Sequence, residues 1–123
     1  MDNYYNLEER TEKFAINTRK FIKALPKNLW NYEDSKQLVR SSGSVAANYI
    51  EANEGVSKKD YYYRVMICRK EVKESLLWLR IIDVQDNFDL INLQNDLLRE
   101  ADELMRIFGF IIRKHQQELK DCS

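Results

Sequence analysis

One proline and three glycines in 123 residues leave this chain few places to turn. A sheet needs a turn every few residues, so a sequence this poor in breakers is driven toward long helices and short links. The apolar spacing agrees. Leu7, Thr11, Phe14, Thr18, Phe21 and Leu25 recur at alternating steps of four and three. Such steps keep one stripe of a helix turned to a neighbour that crosses at a small angle. The same steps relate Leu38, Ser42, Val45, Tyr49 and Ala52. They return in Tyr61, Val65, Cys68, Val72, Ser75, Leu79 and Ile82, with Leu76 widening the stripe. Leu93, Leu97, Ala101, Leu104, Phe108, Ile111 and His115 make a fourth stripe. The pattern predicts one all-α domain over 1–123, an up-down-up-down four-helix bundle with helices at about 7–25, 35–54, 58–83 and 90–119.

Local signals set the expected boundaries. Pro26 cannot continue the first helix. Residues 26–34, with Trp30 and Tyr32, read as a loop or short turn packed over one end of the bundle, and Asp34 or Ser35 as the next cap. Gly55 fits a helix C-terminal cap and Ser57 the following N-cap, with Asp60 at the positive end of the dipole. Residues 86–89 form the last turn. Ser41, Ser42, Gly43, Ser44, Ala46 and Ala47 make the second helix thin. Gly43 costs roughly 1 kcal/mol of helix propensity, so a close neighbour is expected there.

Charge excludes some functions and suggests others. Twenty basic and twenty acidic residues cancel, so the strongly basic balance of an autonomous nucleic-acid binder is absent. The distribution is uneven. Residues 13–40 hold seven basic and two acidic residues, a balance of +5; residues 57–83 hold seven and four, or +3; residues 84–105 hold one and six, or −5. Lys13, Lys20, Lys23 and Lys27 share one side of the first helix. Lys59, Arg69, Lys70 and Lys73 spread over the outer face of the third, beside Tyr61, Tyr62 and Tyr63. Cations with interleaved aromatics suit phosphate contact and base stacking. Successive helical residues turn by about 100°, so Tyr62 and Tyr63 fall at or outside the seam and suit self-association. The basic first helix and the acidic start of the fourth suggest head-to-tail contacts between copies.

No constellation for catalysis appears. Glu51 and Glu54, and Glu71 and Glu74, have di-iron spacing, but the Glu-x-x-His pairs such sites need are missing; Ile112 stands three residues before the single His115. No phosphate-binding glycine loop occurs. No enzyme activity, metal or cofactor is therefore expected. Asn48, Glu51 and Glu71 are expected to form a polar network between helices that sets register. Cys68 lies on a seam and Cys122 near the terminus, which is neither a disulfide framework nor a metal spacing and fits the reducing cytoplasm. The polar N-terminus lacks a signal core, and no run of 18 apolar residues exists, so no membrane segment is expected.

Specific residues add a resemblance. Gln37-Leu38, Arg40-Ser41, Ser44-Val45, Ala47-Asn48, Glu51-Ala52 and Glu54 on the second helix carry it. Ser57, Lys59-Asp60, Lys70-Glu71, Glu74 and Trp78-Leu79 carry it on the third, and Ala101-Asp102-Glu103-Leu104 on the fourth. Through these the chain resembles the bacterial four helix bundle protein family, which includes proteins encoded in intervening sequences of large-subunit ribosomal RNA genes. It is also similar to the accessory variability determinant of diversity-generating retroelements. The resemblance implies a left-handed antiparallel bundle that assembles into a ring, usually a pentamer, and implies no enzyme. For the retroelement relative it implies binding of nucleic acid and a reverse transcriptase; the neutral charge here departs from that markedly basic relative. The expected function is a non-enzymatic homo-oligomeric module that contacts structured RNA, DNA or an RNA–protein complex. The alternative is a scaffold for an unknown protein partner.

Overall fold

The computed structural model describes residues 6–122. Four helices follow one another: α1 (Leu7–Lys23), α2 (Leu29–Asn53), α3 (Lys58–Ile81) and α4 (Phe88–Cys122). No strand occurs among the described residues. The helices form a four-helix bundle. α2 packs most extensively on α3, then α3 on α4 and α1 on α2, while the α1–α4 seam is sparse.

The predicted seams are buried with few exceptions. All six positions of α1's seam and all five of α2's are closed to solvent. Phe14, Phe21, Leu38, Leu79, Leu104 and Phe108 are the large side chains at the centre. α3 buries its stripe from Val65 to Ile82, with Tyr61 at the edge. On α4 the stripe is corrected at its start. Leu93 is 43% exposed, and Leu90 is buried instead. The four-three rhythm runs through Gln94, whose Nε2 donates to Leu79 O (2.8 Å) and Ile82 O (3.3 Å) at the end of α3. Terminal helix carbonyls lack partners of their own, so an amide is worth more on that line than a leucine.

Helix ends differ from expectation for identifiable reasons. α2 begins at Leu29, not near Asp34. Asn28 caps it by accepting from Asn31 N at 2.8 Å, and nothing between Leu29 and Asp34 interrupts a helix. Trp30 and Tyr32 therefore sit in the first turns of α2 and are exposed rather than packed over the bundle. Asn31 is buried and ties two links together. Its Nδ2 donates to Pro26 O (3.0 Å) and Asp83 O (2.8 Å), and its Oδ1 accepts from Asp83 N (3.0 Å). Gly55 does not adopt a left-handed cap conformation; α2 closes with short backbone bonds to Glu51 O and Ala52 O. The positive φ belongs to Gln85, at 55°, where Asp83 Oδ1 accepts the Gln85 N–H at 2.9 Å. Ser57 caps α3 as expected, and Asn87 caps α4.

The thin stretch of α2 does receive a close neighbour. A Cβ on Gly43 would stand 3.1 Å from Arg19 Nη2. That guanidinium reaches over the bare backbone to Val39 O (3.4 Å) and also bonds Ala15 O (3.1 Å). On the other side of the same stretch, toward α3, Ser41 and Ser75 meet with hydroxyls 2.7 Å apart.

Candidate nucleic-acid interface

The outer face of α3 is built by the rhythm that builds its core. Steps of four and three bring Lys59, Tyr63, Met66, Lys70, Lys73 and Leu77 onto one line opposite the Val65–Leu79 seam. All six are exposed, Tyr63 by 60%. The line carries three cations and no carboxylate. The acids of α3 fall on the flank toward α2, where Arg40 pairs with Glu71 at 3.0 Å and also with Glu74. The flank toward α4 holds Tyr62 and Arg69, both half-buried.

Asn48, Glu51 and Glu71 do not share one network. Asn48 Nδ2 donates to Ser44 O (2.9 Å), and its Oδ1 accepts from Arg64 (3.1 Å). Glu71 belongs to Arg40, and Glu51 is exposed. Glu51 stands one turn beyond Asn48 but makes no side-chain contact across the helices, so the register contact is carried by Arg64 and Arg40 reaching between α2 and α3.

The lysines of α1 separate. Lys13 and Lys20 border a groove along the open α1–α4 seam, together with Asp96 and Glu100. Arg10 crosses the same seam to Glu100 through two contacts (Nε 3.0 Å, Nη2 2.7 Å) and to Glu103 at 3.0 Å. The basic helix and the acidic start of α4 thus meet within one chain, which uses part of the complementarity expected between copies. Lys23 is exposed in the last turn of α1. Lys27 lies beyond α1 in the link, because the helix stops short of Pro26, so it does not extend the stripe.

Tyr62 is taken within the chain. Its ring stacks on His115 with centroids 3.7 Å apart and planes at 12°, which leaves Tyr63 as the exposed tyrosine of the pair. His115 Nδ1 is buried without a hydrogen-bond partner among the described residues. Beside the stack, Glu8, Tyr49, Asn53, Tyr61, Tyr62, Ile111 and Lys114 line a cavity of about 440 Å³. Burial, then the hydrogen bond to Tyr49 (3.3 Å), pushes the Tyr61 hydroxyl well above the usual phenol range. No group of three or more potential metal ligands occurs among the described residues, and no described helix is long and apolar enough to cross a membrane.

Two further residues belong to this surface that no spacing rule singles out. Arg113 lies on α4 against Gly109, which faces Arg69 across the α3–α4 boundary. Their signal in the sequence is an isolated glycine deep in a long amphipathic stretch with an arginine one turn on.

The described residues thus form an all-helical bundle with a cationic, partly apolar outer face on α3. The family is then set by comparison: residues 5–109 match the 23S rRNA-intervening sequence protein family, and the chain belongs to it. A protein of unknown function from the S23 ribosomal protein family of Bacteroides thetaiotaomicron VPI-5482 has a similar solved structure. Its TM-score is 0.73 at 23% identity, covering 86% of this chain and 97% of that one. No curated protein matches the chain.

Proposed function

We propose that this protein is a non-enzymatic interaction module whose outer α3 face contacts nucleic acid, as structured RNA or an RNA–protein complex. The observation that carries this is the exposed line Lys59–Tyr63–Met66–Lys70–Lys73–Leu77, cationic and apolar by turns and free of acids. We further propose that the bundle is up-down-up-down and left-handed, and that copies close into a ring of five. In a ring the line is repeated around the particle, so a chain with no net charge presents a strong local field. The reduced thiols Cys68 and Cys122 support a cytoplasmic setting.

Native mass measurement with and without a structured RNA tests assembly and ligand together. A ring that gains RNA mass is the expected result; a monomer at micromolar concentration refutes assembly. Three phosphate contacts, one for each cation of the line, make affinity fall roughly 40-fold between 50 and 200 mM salt. Lys70→Glu with Lys73→Glu should weaken binding further than Lys20→Glu with Lys23→Glu, because Asp96 and Glu100 already offset the α1 groove. Binding that ignores salt and both double variants refutes nucleic-acid contact. One observation favours a protein partner instead: Leu29 and Phe88 are each 73% exposed, with Trp30 beside Leu29. Aromatics and leucines bared in this way are what a protein interface covers.

A further inference from the structure

Gly109 is buried in the middle of α4, yet what covers it is not a hydrophobic neighbour. A Cβ built there would stand 3.3 Å from Arg113 Nη1 and 3.3 Å from Arg69 Nε. Two guanidinium groups from different helices therefore approach one point, and their separation is bounded by twice that distance. Arg113 is exposed, so water can screen the two charges as they stand, and an anion seated between them would relieve their repulsion.

The rest of the described chain supplies no such anion. Among the described residues neither Arg69 nor Arg113 has a carboxylate within ion-pairing distance; Glu118, the acid nearest Arg113 in sequence, pairs with neither, and others close by are committed elsewhere. Asp102 holds Arg106 at 2.9 Å, and Glu71 and Glu74 hold Arg40 on the opposite flank of α3. Arg19 over Gly43 provides the internal contrast. It uses the same device, an arginine laid on a bare glycine, but its N–H groups end on Ala15 O and Val39 O. Over Gly109 no such acceptors stand within hydrogen-bonding distance among the described residues, and the donors remain available.

We propose that Arg69 and Arg113, spread over Gly109, form a clamp for the phosphate group of a nucleic-acid backbone. Planar guanidinium forks match the oxygens of a tetrahedral phosphate and can each donate twice. The missing Cβ lets both forks lie low between α3 and α4. Met66, about half exposed and one turn before Arg69 on α3, offers apolar surface to an adjoining sugar or base. This rests on the nucleic-acid reading of the α3 face, and it makes the α3–α4 boundary the place where the backbone is gripped.

The test follows the arginine Nε–Hε signals by nitrogen-15 NMR in the full chain, titrated first with inorganic phosphate and then with a single-stranded oligoribonucleotide. Both Arg69 and Arg113 signals should move together and saturate with each probe. Arg69→Lys and Arg113→Lys keep the charge and lose the fork, so each should weaken oligonucleotide affinity about 10-fold. Lys114→Gln removes a neighbouring charge and should cost under about 3-fold, as a general field effect would. Gly109→Ala should keep the helical signal and hold or raise the midpoint of unfolding while weakening phosphate binding, since its new methyl pushes on both forks; a purely structural glycine would not show that split. If the oligonucleotide binds and these signals and variants are unaffected, the clamp is wrong and nucleic-acid contact elsewhere survives. If phosphate moves both signals but no oligonucleotide binds, the phosphate clamp stands and the nucleic-acid reading fails. Silence toward both probes overturns the clamp.

Discussion

Removing the hydrogen bonds of Asn31 without removing its bulk should unfasten one end of the bundle. Asn31 is 2% exposed, and its side chain makes three bonds of 2.8–3.0 Å to Pro26 O, Asp83 O and Asp83 N. Asn31→Leu keeps a similar volume and abolishes all three. At a net value of about 1 kcal/mol each, the loss is about 3 kcal/mol. For a domain of this size that lowers Tm by roughly 10–15 °C. Asn28→Ala is the natural control, since it removes one cap bond and should cost about 1 kcal/mol. Asn31→Asp adds a signature. Its carboxylate would face two carbonyl oxygens, so folding favours the protonated acid and raises its pKa above the unfolded value of about 4. Stability contributed by the protonated form is complete below that value and is lost as pH climbs through the raised one, so this variant should weaken from pH 4 toward 7. The assay is urea unfolding by circular dichroism at fixed chain concentration, because association would couple to stability. If Asn31→Leu costs no more than Asn28→Ala, or changes the slope instead of the midpoint, the clasp between the two links does not exist in solution.

Phe21→Ala and Leu79→Ala should each cost about 2–5 kcal/mol in the same assay, because both side chains are fully enclosed and leave a cavity. Gly43→Ala should be neutral to stabilising by up to about 1 kcal/mol: the new methyl meets only the tip of exposed Arg19, which can shift, while helix propensity improves. A loss above that size would mean Arg19 is fixed there. Burial pushes the Cys68 thiol up to about 12 from its ordinary 9.0, and its Sγ donates to Val45 O at 3.5 Å. The unfolded chain sheds that proton first, so this contribution is constant below pH 9 and falls above it by at most about 1.4 kcal/mol per pH unit. Alkaline unfolding of the native chain should therefore be steeper than that of Cys68→Ala, and a thiol reagent should label Cys122 at once but Cys68 only on unfolding. Arg10→Ala should destabilise more than Arg40→Ala, since Arg10 grips Glu100 through two nitrogens at 17% exposure, whereas Arg40 is 49% exposed. Equal losses would show that burial of the pair is immaterial.

Much of the architecture was legible because a helix seam is a periodic signal, and periodicity survives in one dimension. Every position that the four-three steps of α1 and α2 name is buried, though Ala15, Asn31 and Ser41 are buried beside them, and the same arithmetic places Lys70 and Lys73 on the outside of α3. Side chains whose worth depends on a partner far along the chain were not legible. Gln94 displaces Leu93 from the core line because α3 ends beside it, and Asn31 is buried because Asp83 stands opposite. The expected Asn48–Glu51–Glu71 network dissolved for the same reason: Arg64 and Arg40 reach those positions first.

The sequence by itself determined that this protein is helical, how many helices it has, and which stripe of each is buried. Those properties follow from backbone propensity and from the repeat of apolar residues along a single rod. Tertiary structure alone decided that the lysines of α1 share their groove with Asp96 and Glu100, and that Arg69 and Arg113 meet over Gly109. Charge acts through distance in space, and only packing one rod against another fixes those distances.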